Sequence, residues 1–147
     1  MAMEICTIGF TQSTAERFFG RLKDAGVTRV LDIRLHNDSQ LAGFAKAGDL
    51  PYFLRELVGA EYEHDLRLAP DEDLLTAVRK DRIPFPEFDA RYRALMGARG
   101  VPAALDRASF ERGRTALLCS EPRATQCHRD ILSSLLAEAW HATVTHL

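Results

Sequence analysis

Short apolar segments alternate with amphipathic helical segments along the whole chain, and this alternation restricts the fold more than any other feature. Strands that are separated by helices form parallel sheets whose two faces are both covered. The sequence therefore predicts one α/β domain over residues 1–147, doubly wound, with a mostly parallel sheet and helices on both faces. The predicted strands are Glu4–Gly9, Val27–Arg34, Tyr62–Leu68, Arg114–Cys119 and Ala142–Leu147.

Capping residues and apolar spacing predict the helices between these strands. Ser13 and Glu16 have the spacing of a capping box ahead of an apolar stripe, and Gly26 is placed to end that helix. No linker, repeat or low-complexity segment interrupts the pattern, which favours a single domain. Further helices are predicted over Pro51–Val58, over Pro70–Lys80, from Pro86 onward, and over Gln126–Trp140 with Thr125 as its N-cap.

Composition and charge narrow the class of protein. The chain has 147 residues, of which 46% are hydrophobic and 27% charged, with a formal net charge of -2. This balance does not indicate a broad basic surface, so nucleic-acid binding would need a local patch. No apolar run reaches the length of a membrane span, and no secretory leader pattern is present. We expect a cytoplasmic protein that does not contact a membrane, and the sequence does not predict its oligomeric state.

The three cysteines, Cys6, Cys119 and Cys127, do not suggest a disulfide framework. Their number is odd, and Cys6 belongs to a different predicted element from the other two. Reduced thiols are typical of intracellular proteins, so we expect free cysteines in a reducing compartment.

The densest group of reactive side chains surrounds one predicted strand-to-helix turn. Open α/β sheets bind ligands at the carboxyl ends of their strands, so polar residues after the first, second and fourth strands are expected to converge with this turn. The candidate residues are Gly9, Thr11, Asp32, Arg34, Cys119, Glu121, Cys127, His128 and Arg129.

Arg34 and Arg129, together with the N-terminus of the last helix, are suited to bind an anion such as phosphate or carboxylate. The sequence leaves open a second interpretation, in which Asp32 and Arg34 form only a structural ion pair. Removing one partner of such a buried pair would be costly, which makes the two interpretations distinguishable.

Cys127 and His128 fall in the first turn of the predicted helix, where a thiol near an arginine can exist partly as the thiolate. Cysteine is also a common small buried residue. Neighbouring residues on a helix point about 100 degrees apart, so adjacency does not make Cys127 and His128 a nucleophile-base pair.

The ligand types around this turn do not have the spacing of a zinc ribbon or of a helical zinc protease motif. We therefore expect neither a metal nor another cofactor. Tyr62 and His64 are two residues apart in a predicted strand and share one face; a half-buried strand surface is favoured over a role in the cleft.

Several motifs, in order along the chain, resemble those of the uncharacterised prokaryotic DUF 488 family. The resemblance implies a compact α/β domain with a site built from these motifs, and it implies no established reaction. Two departures stand out: Phe10 replaces a histidine that is common after Thr-Ile-Gly, and His36-Asn37 replaces a proline-containing turn. The motifs are Thr7-Ile8-Gly9, Asp32-Ile33-Arg34, Tyr62 with His64, Leu68-Ala69-Pro70, Leu118-Cys119-Ser120-Glu121 and Cys127-His128-Arg129.

The sequence thus predicts an enzyme-like domain that binds a small anionic ligand, phosphorylated or nucleotide-derived, at the carboxyl edge of the sheet. Cys127 or Cys119 is the candidate nucleophile, and Glu121 or His128 the candidate acid, base or orienting group. The alternative is a non-catalytic module that binds nucleic acid or protein, in which the same cluster only stabilises the turn.

Overall fold

The computed structural model describes residues 3–37, 43–80, 83–120 and 127–147. Its centre is a five-stranded sheet in which every pairing is parallel and the strand order is β3-β2-β4-β1-β5. This architecture confirms the predicted α/β class. The strands are β1 (Glu4–Gly9), β2 (Arg29–Asp32), β3 (Glu61–His64), β4 (Thr115–Cys119) and β5 (Thr143–His146).

Helices connect consecutive strands. A one-turn 3-10 helix, Gly43–Ala45, precedes α2, which continues into a π-helical turn over Leu54–Val58, and a second 3-10 turn, Leu66–Leu68, follows β3. Among the described residues, no helix is long and apolar enough to cross a membrane. The α-helices are α1 (Ala15–Asp24), α2 (Leu50–Phe53), α3 (Glu72–Arg79), α4 (Phe85–Ala98), α5 (Arg107–Glu111) and α6 (His128–Trp140).

The sheet separates two apolar cores because side chains alternate along each strand. In β4, Ala116 and Leu118 pack into the core that contains residues of α1 and α2. Leu117 and Cys119 pack into the opposite core, with residues of α3 to α6. All five residues of β4 are buried, as expected for a central strand covered on both faces.

The chain reverses its direction across the sheet after β3. It moves from β1 through β2 to the edge strand β3, then returns to the central strand β4 and finally to β5 at the other edge. The helix that follows β2 lies on one face of the sheet, whereas the helix that follows β4 lies on the other. Such a switch point opens a crevice between the two diverging connections, at the carboxyl ends of the strands.

The first helix begins one residue later than the capping-box pattern predicts. Thr14, not Ser13, is the N-cap of α1, and its side chain accepts a hydrogen bond from the backbone N–H of Arg17. The Ser13 hydroxyl instead donates to the Thr14 carbonyl oxygen, 3.2 Å away. The predicted capping box was therefore wrong, because the neighbouring threonine already satisfies the exposed N–H of the first turn.

Other predicted boundaries also differ from the structure, and the second strand covers only Arg29–Asp32 of the predicted Val27–Arg34. The third strand ends at His64, because the Asp65 carboxylate accepts a hydrogen bond from the Arg67 N–H and turns the chain into a 3-10 helix. The last helix begins at His128 with Cys127 as its extended N-cap. The predicted N-cap at Thr125 was therefore wrong; Thr125 and Gln126 themselves lie outside the described residues.

Candidate functional site at the carboxyl edge of the sheet

A cavity of about 180 Å³ opens at the switch point between β2 and β4. Its lining comes from the connection after β2, from the turn after β4, and from the faces of α3 and α4. The cavity therefore lies where the sequence predicted a site. Its described lining residues are Arg34, Leu35, His36, Pro70, Leu75, Val78, Arg79, Phe88, Cys119, Ser120, Cys127 and His128.

Asp32 and Arg34 form a buried, bidentate ion pair at the end of β2. Nε of Arg34 donates to Oδ1 of Asp32 at 2.8 Å, and Nη2 donates to Oδ2 at 2.7 Å. The backbone N–H of Arg34 also donates to Oδ1, which closes the turn. Asp32 is fully buried and Arg34 is 3% exposed. The structural ion pair that the sequence left open is thus present.

One nitrogen of Arg34 is not used by this pair. Nη2 makes a further hydrogen bond to the Ala45 carbonyl oxygen, whereas the buried Nη1 has no hydrogen-bond partner among the described residues. A buried guanidinium N–H without an acceptor is costly, and such groups are found where a ligand or ordered water completes the hydrogen bonding. Arg34 also belongs to the cavity lining, so a ligand bound there would lie beside this group.

The side chains of Tyr62 and His64, which come from β3, form hydrogen bonds to the Asp32-Arg34 turn. The Tyr62 hydroxyl donates to Oδ2 of Asp32 at 2.6 Å, and burial together with the Asp32 charge raises the pKa of this tyrosine. Nε2 of His64 lies 2.7 Å from the carbonyl oxygen of Arg34. A carbonyl only accepts, so Nε2 carries the proton and Nδ1 is left as an acceptor.

Asn37 completes this network. Its Nδ2 donates to the Tyr62 hydroxyl oxygen at 3.1 Å and to Nδ1 of His64 at 3.0 Å. The Asp32 carboxylate accordingly accepts four hydrogen bonds from described residues. Tyr62 and His64 are half-buried and do not line the cavity, in agreement with the interpretation that the sequence favoured. Their hydrogen bonds to the Asp32-Arg34 turn were not anticipated.

Phe10 lies beneath Arg34. Its side chain is fully buried in the core that contains residues of α1 and α2, and Cζ of Arg34 is 5.0 Å from the centre of its ring. The apolar ring thus supports the guanidinium from the side away from solvent through a cation-π contact. This packing gives a structural account of the residue that departs from the resembled motif.

The structure joins Cys119 to Cys127 as a disulfide, and only Cys6 is a free, buried thiol. The expectation of three reduced cysteines was therefore wrong for this pair. The physical reason is proximity: Cys119 ends β4 and Cys127 immediately precedes α6, so both side chains enter the same core beside the cavity. A nucleophilic role for either residue, which remains a prediction, would require the pair to be reduced.

His128 is oriented by the backbone of Ile33, the residue that directly follows β2. Its Nε2 lies 2.8 Å from the carbonyl oxygen of Ile33, so Nε2 donates and Nδ1 carries a free lone pair. Nδ1 is 3.8 Å from Sγ of Cys127. Burial is the main cause that lowers the pKa of His128 to about 4, and the nearby Arg129 charge acts in the same direction. The imidazole is consequently neutral at physiological pH.

The contact between Cys127 and His128 was not expected from adjacent helix positions. Cys127 is the N-cap, with extended backbone angles of φ -132° and ψ 148°, so the helical angle of about 100 degrees does not separate the two side chains. The extended residue allows sulfur and imidazole to approach each other. The structure thus brings together a thiol position and a hydrogen-bond acceptor.

Arg129 is almost fully buried, and its Nη1 donates toward Sγ of Cys119 at 3.4 Å. Arg129 does not line the cavity itself, and neither does Asp32. Its charge therefore acts on the sulfur pair from behind the cavity wall. Its predicted role as a direct ligand contact stays a prediction.

Gly9 and Thr11 lie next to the turn after β4 but outside the cavity lining. Gly9 pairs in register with Cys119. The hydroxyl and the backbone N–H of Thr11 both donate to the Ser120 carbonyl oxygen, at 2.6 and 3.1 Å. Their position shows how the loop after β1 holds the turn after β4, and their predicted contact with a ligand stays untested.

Glu121, the remaining candidate acid-base group, lies outside the described residues. Within the described part of the chain, no three His, Cys, Asp or Glu side chains are grouped so as to hold a metal ion. The ion pair between His36 Nε2 and Glu72 Oε1, at 2.7 Å, lies at the exposed side of the cavity.

The sequence reasoning did not identify the cavity wall formed by α3 and α4. Arg79 contributes an exposed cation and Phe88 a buried ring, whereas Leu75 and Val78 supply partly buried apolar surface. The apolar spacing of these helices predicted their burial. Which of their residues face the cavity depends on how the helices pack against the sheet, and no local motif encodes it.

Comparison with protein families assigns the chain. The model of the family described as Domain of unknown function DUF488 matches residues 14–136, which is most of the chain. Comparisons with curated proteins and with solved structures gave no match. The matched range includes β2, β3, β4 and most of α6, the elements that carry the cavity. By this match, the chain belongs to the DUF488 family.

Proposed function

We propose that this protein is an enzyme-like domain that binds a small anionic ligand in the cavity between β2 and β4. The single observation that carries the proposal is that Arg34, a residue of the cavity lining, has a buried Nη1 that lacks an acceptor among the described residues. An anionic oxygen at this position would complete the fork of the guanidinium, two of whose nitrogens already bind Asp32.

The charges of the residues that line the cavity favour an anionic ligand. Arg34 and Arg79 are cationic, and no described residue of the lining is a carboxylate. The negative charge of Asp32 offsets part of the positive charge of Arg34. Arg79, at the exposed side of the cavity, forms no ion pair with Asp32 and adds its own positive charge. Positive charge lining a low-dielectric cleft raises the local concentration of anions.

The size of the cavity favours a small ligand. Its volume of about 180 Å³ is below the range of about 300–1,000 Å³ that holds drug-sized compounds. Leu75, Val78 and Phe88 provide apolar contacts beside the cationic groups. A small phosphorylated compound with a short carbon skeleton fits this combination better than an entire nucleotide does.

For catalysis we propose Cys127 in its reduced form as the nucleophile. Nδ1 of His128, 3.8 Å from the sulfur, would orient the thiol by accepting its hydrogen bond, and the helix N-terminus would favour the thiolate. Cys119 and Glu121 remain the second candidate nucleophile and the second candidate acid-base group. Rapid alkylation of Cys127 by iodoacetamide near neutral pH in reduced, folded protein would support this role, and resistance until unfolding would contradict it.

Calorimetric titration with inorganic phosphate and with glycerol 3-phosphate tests the ligand class. We expect saturable binding that weakens with added salt. Arg79→Gln should weaken binding about 2- to 5-fold, as expected for one exposed charge-charge contact. Arg112→Gln is the matched control, because Arg112 is also an exposed arginine and does not line the cavity.

Two results would overturn the proposal. One is the absence of saturable binding of either phosphate compound to the folded protein. The other is equal weakening by Arg79→Gln and Arg112→Gln, which would show that only net charge matters. Binding of oligonucleotides without binding of small phosphates would favour the alternative, a non-catalytic nucleic-acid module.

A further inference from the structure

The structure assigns a second activity to the cavity: we propose that Cys119 and Cys127 are a redox-active pair that exchanges with a small thiol. The two residues are joined as a disulfide, they come from different elements, and both line the cavity. This inference does not depend on the anion ligand, because it rests on the sulfur pair and its immediate neighbours.

The location of the disulfide separates it from a purely structural bond. A structural disulfide is sealed in a core, whereas redox-active pairs are accessible to a second thiol. Cys119 and Cys127 are 1% and 4% exposed, and their sulfurs pack in the core, yet both residues also form the wall of a cavity that opens to solvent. The thiol end of a small molecule can therefore reach the pair through the cavity while the rest of the molecule stays outside it, whereas a folded protein surface cannot enter.

The neighbours of the pair stabilise its reduced form. When the bond opens, the guanidinium of Arg129, 3.4 Å from Sγ of Cys119, is placed to stabilise a thiolate there. Cys127 caps the 13-residue helix α6, whose positive end favours a thiolate at the other sulfur. Stabilising the reduced form makes a disulfide a better oxidant, because reduction then releases more free energy.

The exchange takes place in two steps. The thiolate of a first small thiol attacks Sγ of Cys127, the more exposed sulfur, the Cys119–Cys127 bond breaks, and Cys119 leaves as a thiolate beside Arg129. A second small thiol attacks the mixed disulfide and releases a small-molecule disulfide. The protein gains two electrons and two protons, and two small thiols are oxidised to one disulfide.

His128 is placed to position the sulfur of Cys127 once the bond opens. Its Nδ1 lies 3.8 Å from that sulfur and can accept a hydrogen bond from the Cys127 thiol. The hydrogen bond from Nε2 to the Ile33 carbonyl oxygen fixes the ring in this orientation. His128 is therefore a positioning residue for the exchange, and the protons that the pair gains come from the two small thiols.

The test uses the folded, full-length protein and reduced glutathione as the small thiol. The Cys6→Ala variant provides a background in which Cys119 and Cys127 are the only cysteines. After oxidation with glutathione disulfide, we expect mass spectrometry to show one intramolecular disulfide. Incubation with reduced glutathione without denaturant should then make both thiols available for alkylation.

Variants of each sulfur identify the attacked atom. In the Cys6→Ala background, Cys119→Ser should accumulate one glutathione on Cys127 after exposure to glutathione disulfide, because the resolving sulfur is missing. Cys127→Ser should react at least about tenfold more slowly at Cys119, the less exposed sulfur. Circular dichroism and the melting temperature show whether each variant is folded.

The parent Cys6→Ala protein shows whether the disulfide is redox-active or structural, even if a variant of Cys119 or Cys127 fails to fold. A disulfide between Cys119 and Cys127 that resists glutathione until denaturant is added would be structural, and the proposal would be overturned. Failure of the two sulfurs to form an intramolecular disulfide on oxidation would overturn it as well. Reversible reduction in the folded state supports it.

Discussion

Arg34 forms a bidentate ion pair with Asp32, in which Nε donates to one carboxylate oxygen at 2.8 Å and Nη2 donates to the other at 2.7 Å. The same local geometry recurs one strand away, where Nε and Nη2 of Arg67 bind the two oxygens of Asp65 at 3.0 and 2.7 Å. The two ion pairs differ in burial: Arg34 is 3% exposed and Arg67 is 51% exposed. The chain therefore contains its own surface control for a buried ion pair.

Replacing Arg34 tests whether this pair supports the fold. Arg34→Gln leaves the Asp32 carboxylate buried without its cation, so we expect a loss of about 3–5 kcal/mol in the free energy of unfolding. Arg67→Gln, the matched control, should cost less, about 1 kcal/mol, because Arg67 is half exposed and water can reach the side of the pair that its guanidinium leaves. Urea unfolding measures both. Equal, small effects would contradict the structural role of Arg34 and would point to an arginine kept for binding alone.

Removing the Tyr62 hydroxyl tests the network around Asp32. Tyr62→Phe deletes the donor to Oδ2 and leaves one N–H of Asn37 without its acceptor. We expect a loss of about 1–3 kcal/mol in the free energy of unfolding. Tyr52→Phe is the control, because the Tyr52 side chain is exposed. A Tyr62→Phe protein as stable as the Tyr52→Phe protein would mean that water replaces the hydroxyl without cost.

The buried, neutral His128 predicts a pH dependence of stability. Its folded-state pKa of about 4 lies below the ordinary value of 6.5, so between these values the unfolded chain binds the proton and the folded protein does not. The free energy of unfolding should therefore fall as the pH drops from about 6.5 to about 4. Above and below this window, the contribution of His128 should stay nearly constant. The contribution is about 3 kcal/mol, from a pKa difference of about 2.5.

Two substitutions isolate the contribution of His128. His128→Gln keeps a side-chain N–H that can reach the Ile33 carbonyl oxygen but removes the titrating ring, so the stability difference between pH 6.5 and pH 4 should shrink. His141→Asn removes an exposed histidine at a left-handed backbone position that asparagine tolerates. Its pH profile should match that of the unmodified protein. A profile for His128→Gln that is as steep as the parent's would assign the acid sensitivity to other groups.

Much of the fold and part of the site could be predicted from the sequence. The alternation of strands and helices, and with it the parallel sheet, could be predicted from the local periodicity of apolar residues. The carboxyl ends of parallel strands lie at one edge, which is why the residues that converge there could be named: Arg34, Cys119, Cys127 and His128. The disulfide could not be predicted, because bonding depends on the distance in space between the end of β4 and the start of α6 rather than on spacing along the chain. The Cys127–His128 contact was missed because the helix begins two residues later than predicted.

The network around Tyr62 marks the second limit of sequence reasoning. The period of two correctly indicated that Tyr62 and His64 share a face, but their partner Asn37 comes from another connection. Only the register of β3 against β2, which sets His64 opposite Asp32, brings these side chains together. Long-range register is fixed by packing of the whole sheet and leaves no local signature.

The last prediction concerns Phe10, where the resembled motif commonly carries a histidine. Phe10→His places a polar ring at a fully buried position beneath Arg34, so we expect a loss of about 1–3 kcal/mol at neutral pH. The nearby guanidinium disfavours a protonated imidazole, which lowers the pKa of the new histidine in the folded state. The loss should therefore grow as the pH falls below about 6.5.

Phe10→Leu, which stays apolar, should lose stability without this added pH dependence. Urea unfolding at several pH values compares the variants with the parent. A Phe10→His protein as stable as the parent at neutral and acid pH would show that the space beneath Arg34 accepts an imidazole, and that the aromatic ring is not required to support the guanidinium.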